Sequence, residues 1–216
     1  MQKLYVAITG PGCVGKSTVL SSEEFTTFIK DNNFYMFQER DYENNENDYI
    51  KALKKEETFW ISQKFFFKTQ QDDIENAVLR PENIIFDRHM LDSFIYPEIQ
   101  IQNNLYSDVE IKQWKKLKSK MLKFLKQKPK LDLLIIVTTS SFNMVEMFRK
   151  NAEKSDNRRR LENSWISLYE QYWNAYNTKD SLEFFKRFAK KVVFLYNDGN
   201  KKELTEQIIK EIDDLK

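Results

Sequence analysis

The stretch that decides the fold is Gly10–Ser17, which reads Gly-Pro-Gly-Cys-Val-Gly-Lys-Ser. It matches the pattern in which a glycine, four free positions and a second glycine precede lysine and serine or threonine. The strand-like run Leu4–Thr9 comes directly before it, and the helical start Thr18–Leu20 comes directly after it. Because that context is the one the pattern requires, the sequence predicts a phosphate-binding loop at the start of a helix.

Each part of this loop has a physical task. The glycines let backbone N–H groups close around phosphate oxygens, the Lys16 ammonium adds a point charge, and the Ser17 hydroxyl suits Mg²⁺. A signalling GTPase would also need Asn-Lys-x-Asp after a strand, and the nearest string, Asn177–Asp180, has the wrong order and follows a helical stretch. The sequence therefore does not fit a signalling GTPase. The loop positions predicted to contact the phosphates of the bound nucleotide are Gly10, Gly12, Cys13, Val14, Gly15, Lys16, Ser17 and Thr18.

Composition excludes several other classes of protein. Lys and Arg number 35 and Asp and Glu 33, so the net charge of +2 gives no basic surplus of the kind that long duplex nucleic acid attracts. One cysteine and one histidine rule out a disulfide framework and a Cys/His zinc site. No apolar run approaches the roughly 18 residues that span a bilayer. We expect a cytoplasmic protein with no membrane partner.

The pattern along the chain predicts an α/β fold with a parallel sheet. Five apolar or aromatic runs alternate with amphipathic stretches long enough to be crossover helices. The predicted strands are Leu4–Thr9, Phe34–Gln38, Asn83–Asp87, Leu131–Thr139 and Val192–Tyr196. The predicted helices include Phe59–Ile74, Leu105–Gln127, Glu162–Tyr176 and Lys201–Leu215. The segments Asp41–Asp48 and Ser155–Arg160 are predicted loops.

Acidic and basic residues close two of these strands. Glu39 follows the second strand, and Asp87 with Arg88 closes the third. Ligands bind at the carboxyl ends of strands in open α/β sheets, which favours a catalytic interpretation of all three. Together with the phosphate loop and a late basic segment, they resemble the deoxynucleoside kinase family.

The resemblance implies a fold, a reaction and a set of roles. The fold would be a three-layer αβα domain over residues 1–216, with five parallel strands in the order 2-3-1-4-5 and a basic lid at about 149–160. The enzyme would transfer the γ-phosphoryl of ATP to the 5′-hydroxyl of a deoxynucleoside, with Mg²⁺, as a homodimer formed through helices. The implied catalytic residues are Glu39 as general base, Lys16, Arg88 and Asp87; the metal would be held by Ser17 and Asp87, and the lid arginines Arg149 and Arg158 would contact ATP.

The sequence departs from the family at two positions beside these residues. Arg40 and His89 stand where proline and serine or threonine are usual. Phosphoryl transfer needs no histidine base when Glu39 is present, so we expect His89 to be structural or solvent-facing.

A nucleoside pocket is predicted on the helix Phe59–Ile74. Gln63 and Gln70 interrupt its apolar face, and a buried amide must find partners. A nucleobase edge would satisfy Gln63, and a structural hydrogen bond to the backbone is the alternative. The residues predicted to line the pocket are Gln63, Phe66, Tyr49, Phe94 and Tyr96.

Three other functions remain open at this stage. In a monophosphate kinase of thymidylate type, Arg40 and Arg88 would grip an acceptor phosphate. In a polynucleotide 5′-kinase or nucleic-acid-binding ATPase, the nine lysines of Lys112–Lys130 would form the surface that binds the nucleic acid. The apolar stripe from Ile111 to Met121 predicts instead that these lysines form the wet face of a packed helix. A regulatory protein that binds nucleotide without turnover would have no need of Glu39 and Asp87 at two strand ends.

Overall fold

The computed structural model describes residues 3–39, 59–152 and 162–216. Its strands are β1 (Tyr5–Thr9), β2 (Phe34–Phe37), β3 (Asn83–Asp87), β4 (Leu131–Thr138) and β5 (Ala189–Tyr196). Its helices are α1 (Lys16–Leu20), α2 (Glu23–Asp31), α3 (Phe59–Leu79), α4 (Ile95–Gln102), α5 (Asp108–Lys126), α6 (Ser141–Ala152), α7 (Glu162–Tyr176), α8 (Lys179–Lys186) and α9 (Lys201–Asp213). A single 3₁₀ turn, Asp92–Phe94, precedes α4. The predicted loops at 41–48 and 155–160 lie outside the described residues.

The five strands form one sheet in the order β2-β3-β1-β4-β5, and every neighbouring pair is parallel. In the centre of the sheet, Ala7 of β1 lies between Phe86 of β3 and Leu134 of β4. The predicted α/β class and strand order are confirmed. All five strands therefore point their carboxyl ends at the same edge, where a ligand site is expected.

Side chains of alternate strand residues fill two separate cores, one on each face of the sheet. Ala7 and Leu134 face a core closed by α3, α4, α5, α7 and α8. Val6 and Leu133 face the other core, which is closed by α1, α2 and α9. A parallel sheet covered on both faces explains why its central strands are almost wholly apolar. The result is the predicted three-layer αβα arrangement.

Helix α3 ends at Leu79 rather than Ile74, and two other elements begin three residues away from their predicted starts. β5 begins at Ala189 rather than Val192, because Lys190 and Lys191 extend the strand while their ammonium groups reach Asp132 and Glu211, each at 2.7 Å. Helix α5 begins at Asp108 because Ser107 caps it: the Ser107 side chain accepts from the Glu110 backbone, and Glu110 accepts from the Ser107 backbone.

The packing of helix α5 determines which way the side chains of the lysine-rich segment face. Trp114 and Met121 are buried in the core on the face of the sheet that α5 covers, whereas Lys112, Lys116 and Lys120 are exposed. The lysines thus form the solvent-facing side of a packed helix, as the apolar stripe predicts. Among the helices of the described residues, none is long and apolar enough to cross a bilayer.

Candidate active site

The phosphate loop connects β1 to α1 at the carboxyl edge of the sheet. Gly10 and Gly15 have φ angles of 136° and 90°, a backbone region that L side chains rarely adopt. A Cβ added to Gly10 would lie 2.1 Å from the Val137 carbonyl oxygen, and one added to Gly15 would lie 2.4 Å from the Asn197 Nδ2 atom. Only glycine fits either position. The two glycines therefore allow the phosphate loop to pack closely against β4 and against the turn that follows β5.

Lys16 is buried inside this loop. Its side chain is 5% exposed, and its ammonium donates to the Gly10 and Pro11 carbonyl oxygens, each at 3.0 Å. Burial and then the positive charge of Arg88 lower the pKa of Lys16 to about 8. The ammonium therefore lies in a position where an anionic phosphate would restore its ordinary affinity for a proton.

The other loop residues surround Lys16 in different ways. Val14 is fully buried and anchors the loop in the core against α1, α2 and α9. Cys13 has a φ angle of 62° and is partly exposed, while Ser17 and Thr18 are exposed at the start of α1. Their hydroxyls are open to a bound ligand, as the predicted roles require.

Asn197 holds the loop from the far side, and sequence reasoning missed this role. Its Nδ2 atom donates to the Val14 carbonyl oxygen at 2.9 Å, and its Oδ1 atom accepts from the Gly199 backbone at 2.9 Å. Thr139, after β4, donates its hydroxyl to the Asn197 carbonyl oxygen at 2.6 Å. The only signal in the sequence is the turn-forming string Asn-Asp-Gly-Asn at 197–200, which predicts a turn and says nothing of its contact with the loop.

The predicted general base lies beside the phosphate loop. Arg88 Nε lies 2.6 Å from Glu39 Oε1, and Arg88 Nη1 donates to the Gly10 carbonyl oxygen at 3.2 Å. The approach of Nε to Glu39 is too bent for a hydrogen bond, so the contact is an ion pair. The Glu39 side chain is 30% exposed, which leaves its carboxylate accessible to a substrate. The structure thus brings Glu39, Arg88, Asp87 and Lys16 together at one edge of the sheet.

Asp87 ends β3 with its carboxylate turned into this cluster. Burial, and next the charge of Glu39, raise the pKa of Asp87, while Lys16 and Arg88 oppose that rise. Among the described residues, its Oδ1 atom is buried and has no hydrogen-bond partner. A buried carboxylate oxygen of this kind fits a hard cation such as Mg²⁺. In the part of the chain that the structure describes, no three His, Cys, Asp or Glu side chains cluster to hold a metal by themselves.

Arg88 is the centre of the charged cluster. Its backbone has a φ angle of 68°, which is rare for a residue with a side chain, and its N–H donates to the Ile8 carbonyl oxygen at 3.0 Å. Its Nη1 atom also lies 3.2 Å from the Tyr96 hydroxyl and 3.4 Å from Asp92 Oδ2. Burial opposes the charge of Arg88, yet Glu39, Tyr96 and Asp92 outweigh it and raise its pKa.

The predicted nucleoside pocket is only partly assembled by the described residues. Gln63 is buried, at 6% exposure, and Tyr96 contacts Arg88. Phe66 is partly exposed on α3. Phe94 packs in the core against Phe67 and Trp114, with ring centroids 6.0 and 6.2 Å apart.

The remaining predicted residues fall into two groups. Gln70 accepts a hydrogen bond from the Ser93 hydroxyl at 2.7 Å, so its amide has a structural partner. Tyr49 and Arg158 lie outside the described residues, as does most of the predicted lid. Arg149 lies on α6 with its side chain 54% exposed and a carboxylate oxygen of Glu146 at 3.6 Å. The Met147 side chain approaches Gly15, so α6 runs close to the phosphate loop.

His89 has the structural role predicted for it. It is buried, its Nδ1 atom accepts from the Leu91 backbone at 3.3 Å, and its ring meets the edge of Phe86. Burial lowers its pKa to about 3. The imidazole is therefore neutral at physiological pH and serves the turn after β3.

Comparison of structures supports the fold. The chain resembles deoxyadenosine kinase from M. mycoides with bound dCTP, with a TM-score of 0.69 and 20% identity over 97% of this chain and 98% of that chain. The structure of that enzyme with bound dATP gives a TM-score of 0.65 and 22% identity over 96% and 98%. The structure with the products dCMP and a flexible dCDP gives 0.68 and 20% over 97% and 98%. At these identities the likeness establishes the fold.

Comparison of sequences identifies the family. A search of curated protein sequences found no match. The model of the family described as deoxynucleoside kinase matches residues 6–215, which is nearly the whole chain. Neither comparison favours a thymidylate-type kinase or a polynucleotide kinase. The chain belongs to the deoxynucleoside kinase family and is an ATP-dependent kinase of deoxynucleosides.

Proposed function

We propose that this kinase phosphorylates the 5′-hydroxyl of a deoxynucleoside, with Glu39 as the general base and Arg88 as the clamp on the transferred phosphoryl group. One contact carries the proposal: the 2.6 Å ion pair between Glu39 and Arg88, joined to the phosphate loop by the bond from Arg88 to Gly10. A base and a guanidinium beside the γ-phosphate position are the parts that an in-line transfer needs.

The donor ATP is held by the phosphate loop. Backbone N–H groups of Gly10 and Gly12–Lys16 surround the β-phosphate, and the Lys16 ammonium leaves the Gly10 and Pro11 carbonyls for phosphate oxygens. Arg149 adds a second positive charge from α6, which passes close to Gly15. Residues 149–160, including Arg158, form the lid over the phosphates.

The acceptor nucleoside lies between α3 and the residues after β3. Glu39 takes the proton of the 5′-hydroxyl as the oxygen attacks the γ-phosphorus, and Arg88 stabilises the charge that develops on the phosphoryl oxygens. The buried amide of Gln63 hydrogen-bonds the edge of the base, and Phe66, Tyr49 and Tyr96 enclose it. Phe94 supports this wall from the core behind it.

Ser17 and Asp87 are the residues that would hold Mg²⁺. When bound, the ion neutralises charge on the β- and γ-phosphates. The Oδ1 atom of Asp87, which has no hydrogen-bond partner in the described part of the chain, and the exposed Ser17 hydroxyl are the oxygens that support this assignment.

The assembly and location follow the family resemblance. We infer one kinase domain over residues 1–216, working as a homodimer through helices in the cytoplasm. The low net charge and the single cysteine support such a setting.

Transfer of labelled phosphate from ATP tests the reaction directly. The purified protein is incubated with γ-labelled ATP and Mg²⁺ and with each deoxynucleoside, each deoxynucleoside 5′-monophosphate or a 5′-hydroxyl oligonucleotide. We expect label in a 5′-monophosphate product of at least one deoxynucleoside, and no transfer by Lys16→Ala. Label only in a diphosphate or in the oligonucleotide would overturn the proposed acceptor.

A further inference from the structure

A second carboxylate lies behind Arg88, and the catalytic roles described above leave it unused. Asp92 is 1% exposed and begins the 3₁₀ turn that follows β3. Its Oδ1 atom accepts a hydrogen bond from the Thr9 hydroxyl, and its Oδ2 atom lies 3.4 Å from Arg88 Nη1. Thr9 is the last residue of β1, immediately before the phosphate loop.

Burying this carboxylate is costly, since a buried charge must be compensated by charges or hydrogen bonds. Burial raises the pKa of Asp92 to about 6, whereas Arg88, the Thr9 hydroxyl and Lys16 oppose that rise. Within residues 3–39, 59–152 and 162–216, the Asp92 carboxylate thus contacts the residue that enters the phosphate loop, Thr9, and the proposed phosphoryl clamp, Arg88.

The guanidinium of Arg88 is held from two sides as a result. Glu39 contacts its Nε atom, and Asp92 contacts its Nη1 atom. Without the second contact, the guanidinium would be free to turn so that two of its N–H groups meet the two oxygens of Glu39, because carboxylates prefer a two-point contact with arginine. Such a turn would withdraw Arg88 from Gly10 and would tie up the oxygens that Glu39 needs to accept a proton.

We propose that Asp92 is a positioning residue that holds the Arg88 guanidinium against the phosphate loop and keeps one edge of it away from Glu39. This inference rests on the proposed role of Arg88. In this role Asp92 acts on turnover through Arg88, so its contribution to kcat vanishes once Arg88 is replaced.

A second ion pair with a buried carboxylate supplies a control. Asp132, at the start of β4, is 8% exposed, accepts from the Tyr5 backbone at 2.8 Å and pairs with Lys190 at 2.7 Å. Because β4 and β1 are parallel, Asp132 and Tyr5 lie at the opposite edge of the sheet from the phosphate loop. Asp132→Asn removes one negative charge from the buried side of an ion pair far from the chemistry, although its partner Lys190 is 55% exposed.

The test measures kcat and both KM values for Asp92→Asn, Arg88→Gln, the double variant and Asp132→Asn, each corrected for the folded fraction. We expect Asp92→Asn to lower kcat by about 10-fold or more with both KM values within about threefold. In the Arg88→Gln background the same change lowers kcat by less than about twofold, and Asp132→Asn leaves kcat unchanged. Equal losses in both backgrounds, or an unchanged kcat in Asp92→Asn, would overturn the inference.

Two further outcomes separate this inference from the proposed function. If Arg88→Gln itself keeps kcat within about threefold of the native value, the proposed role of Arg88 fails. If Asp92→Asn does not fold, Thr9→Val removes one partner of Asp92 with little change of shape. It should lower kcat by about threefold only while Arg88 is present, and an equal loss in the Arg88→Gln background would contradict the inference.

Discussion

The two halves of the active site are held in place by different kinds of interaction. The donor half comprises Gly10–Thr18, Thr139 and Asn197. Close packing and neutral hydrogen bonds hold its backbone in place: Gly10 packs on β4, and the Asn197 amide donates to the Val14 carbonyl oxygen. The acceptor half comprises Glu39, Asp87, Arg88 and Asp92. Here Arg88 forms ion pairs with Glu39 and Asp92, and Asp87 lies in the same charged cluster.

The difference follows from what each half must do. A phosphate is bound by many backbone N–H groups at fixed directions, so the donor half must keep its backbone shape. Proton removal and charge stabilisation need ionised groups at set distances, so the acceptor half must keep its charges. Changes of shape should therefore damage ATP binding, whereas changes of charge at constant shape should damage turnover.

Gly10→Ala is the strongest test of the donor half. The new Cβ would lie 2.1 Å from the Val137 carbonyl oxygen at a φ angle of 136°. Overlap with backbone and the strained conformation together should cost about 3 kcal/mol or more of unfolding free energy and abolish ATP binding. Denaturant unfolding and calorimetric titration with ATP measure both effects.

Gly199→Ala is the matched control for that change. Gly199 has a φ angle of 105°, but an added Cβ would meet no atom within 4 Å. It should cost only about 1 kcal/mol or slightly more and leave the Kd for ATP unchanged. If the two variants lose ATP affinity equally, close packing of Gly10 on β4 is not what shapes the loop.

Asn197→Asp tests the neutral contact that holds the loop. The change preserves the size of the side chain. In the native protein the Asn197 amide donates to the Val14 carbonyl oxygen at 2.9 Å, whereas the aspartate carboxylate would face that oxygen without a hydrogen to donate. We expect the KM for ATP to rise by about 30-fold and the KM for the deoxynucleoside to change little. Asn200→Asp, in the same turn, should be silent because aspartate also caps α9. Equal effects of the two variants on ATP would remove Asn197 from the donor half.

Gln63→Leu tests whether a neutral side chain contributes to nucleoside binding in the acceptor half. Loss of a hydrogen bond in a buried pocket should raise the KM for every accepted deoxynucleoside by about 10-fold, while the KM for ATP stays the same. Gln71→Leu, on the same helix and bonded to Glu75, is the control. An unchanged nucleoside KM in Gln63→Leu would assign Gln63 a structural hydrogen bond instead.

The pH dependence of ATP binding tests the one charge in the donor half. In the free enzyme Lys16 loses its proton as the pH rises through about 8, below the ordinary lysine value, because it is buried. ATP favours the charged ammonium, so binding takes a proton up, and affinity at pH 8.5 should be about fourfold weaker than at pH 7. Calorimetry in two buffers of different ionisation enthalpy measures the uptake. Lys16→Arg keeps its charge and should lose the pH dependence; a native Kd that is equal at both pH values would contradict this account.

Much of the fold was predictable because it is encoded locally. The phosphate loop and the apolar strands lie within short windows, and Asn83–Asp87 and Glu162–Tyr176 have the bounds that the pattern predicts. The start of β5 was missed because Lys190 and Lys191 conceal a strand whose charges are satisfied by Asp132 and Glu211.

The supporting residues of the site were not predictable in the same way. Asn197 meets Val14 across 183 positions of sequence, and Asp92 meets Thr9 across 83. Asn197 lies in a turn-forming string, which predicts a turn and nothing more. Asp92 follows Asp87 and Arg88, and because these two residues already have catalytic roles, the sequence gives no reason to assign one to Asp92. Their roles arise from contacts that only the folded sheet creates, since β1, β3 and β5 bring their ends to one edge.

The steady-state kinetics of Glu39→Gln test the central claim most directly. The amide keeps the size of the side chain and can still hydrogen-bond a 5′-hydroxyl, but it cannot take a proton and no longer carries the charge that faces Arg88. We predict a fall in kcat of about 10²-fold or more, with both KM values within about threefold of the native enzyme. A kcat within about threefold of the native value, at unchanged stability, would show that Glu39 is not the base.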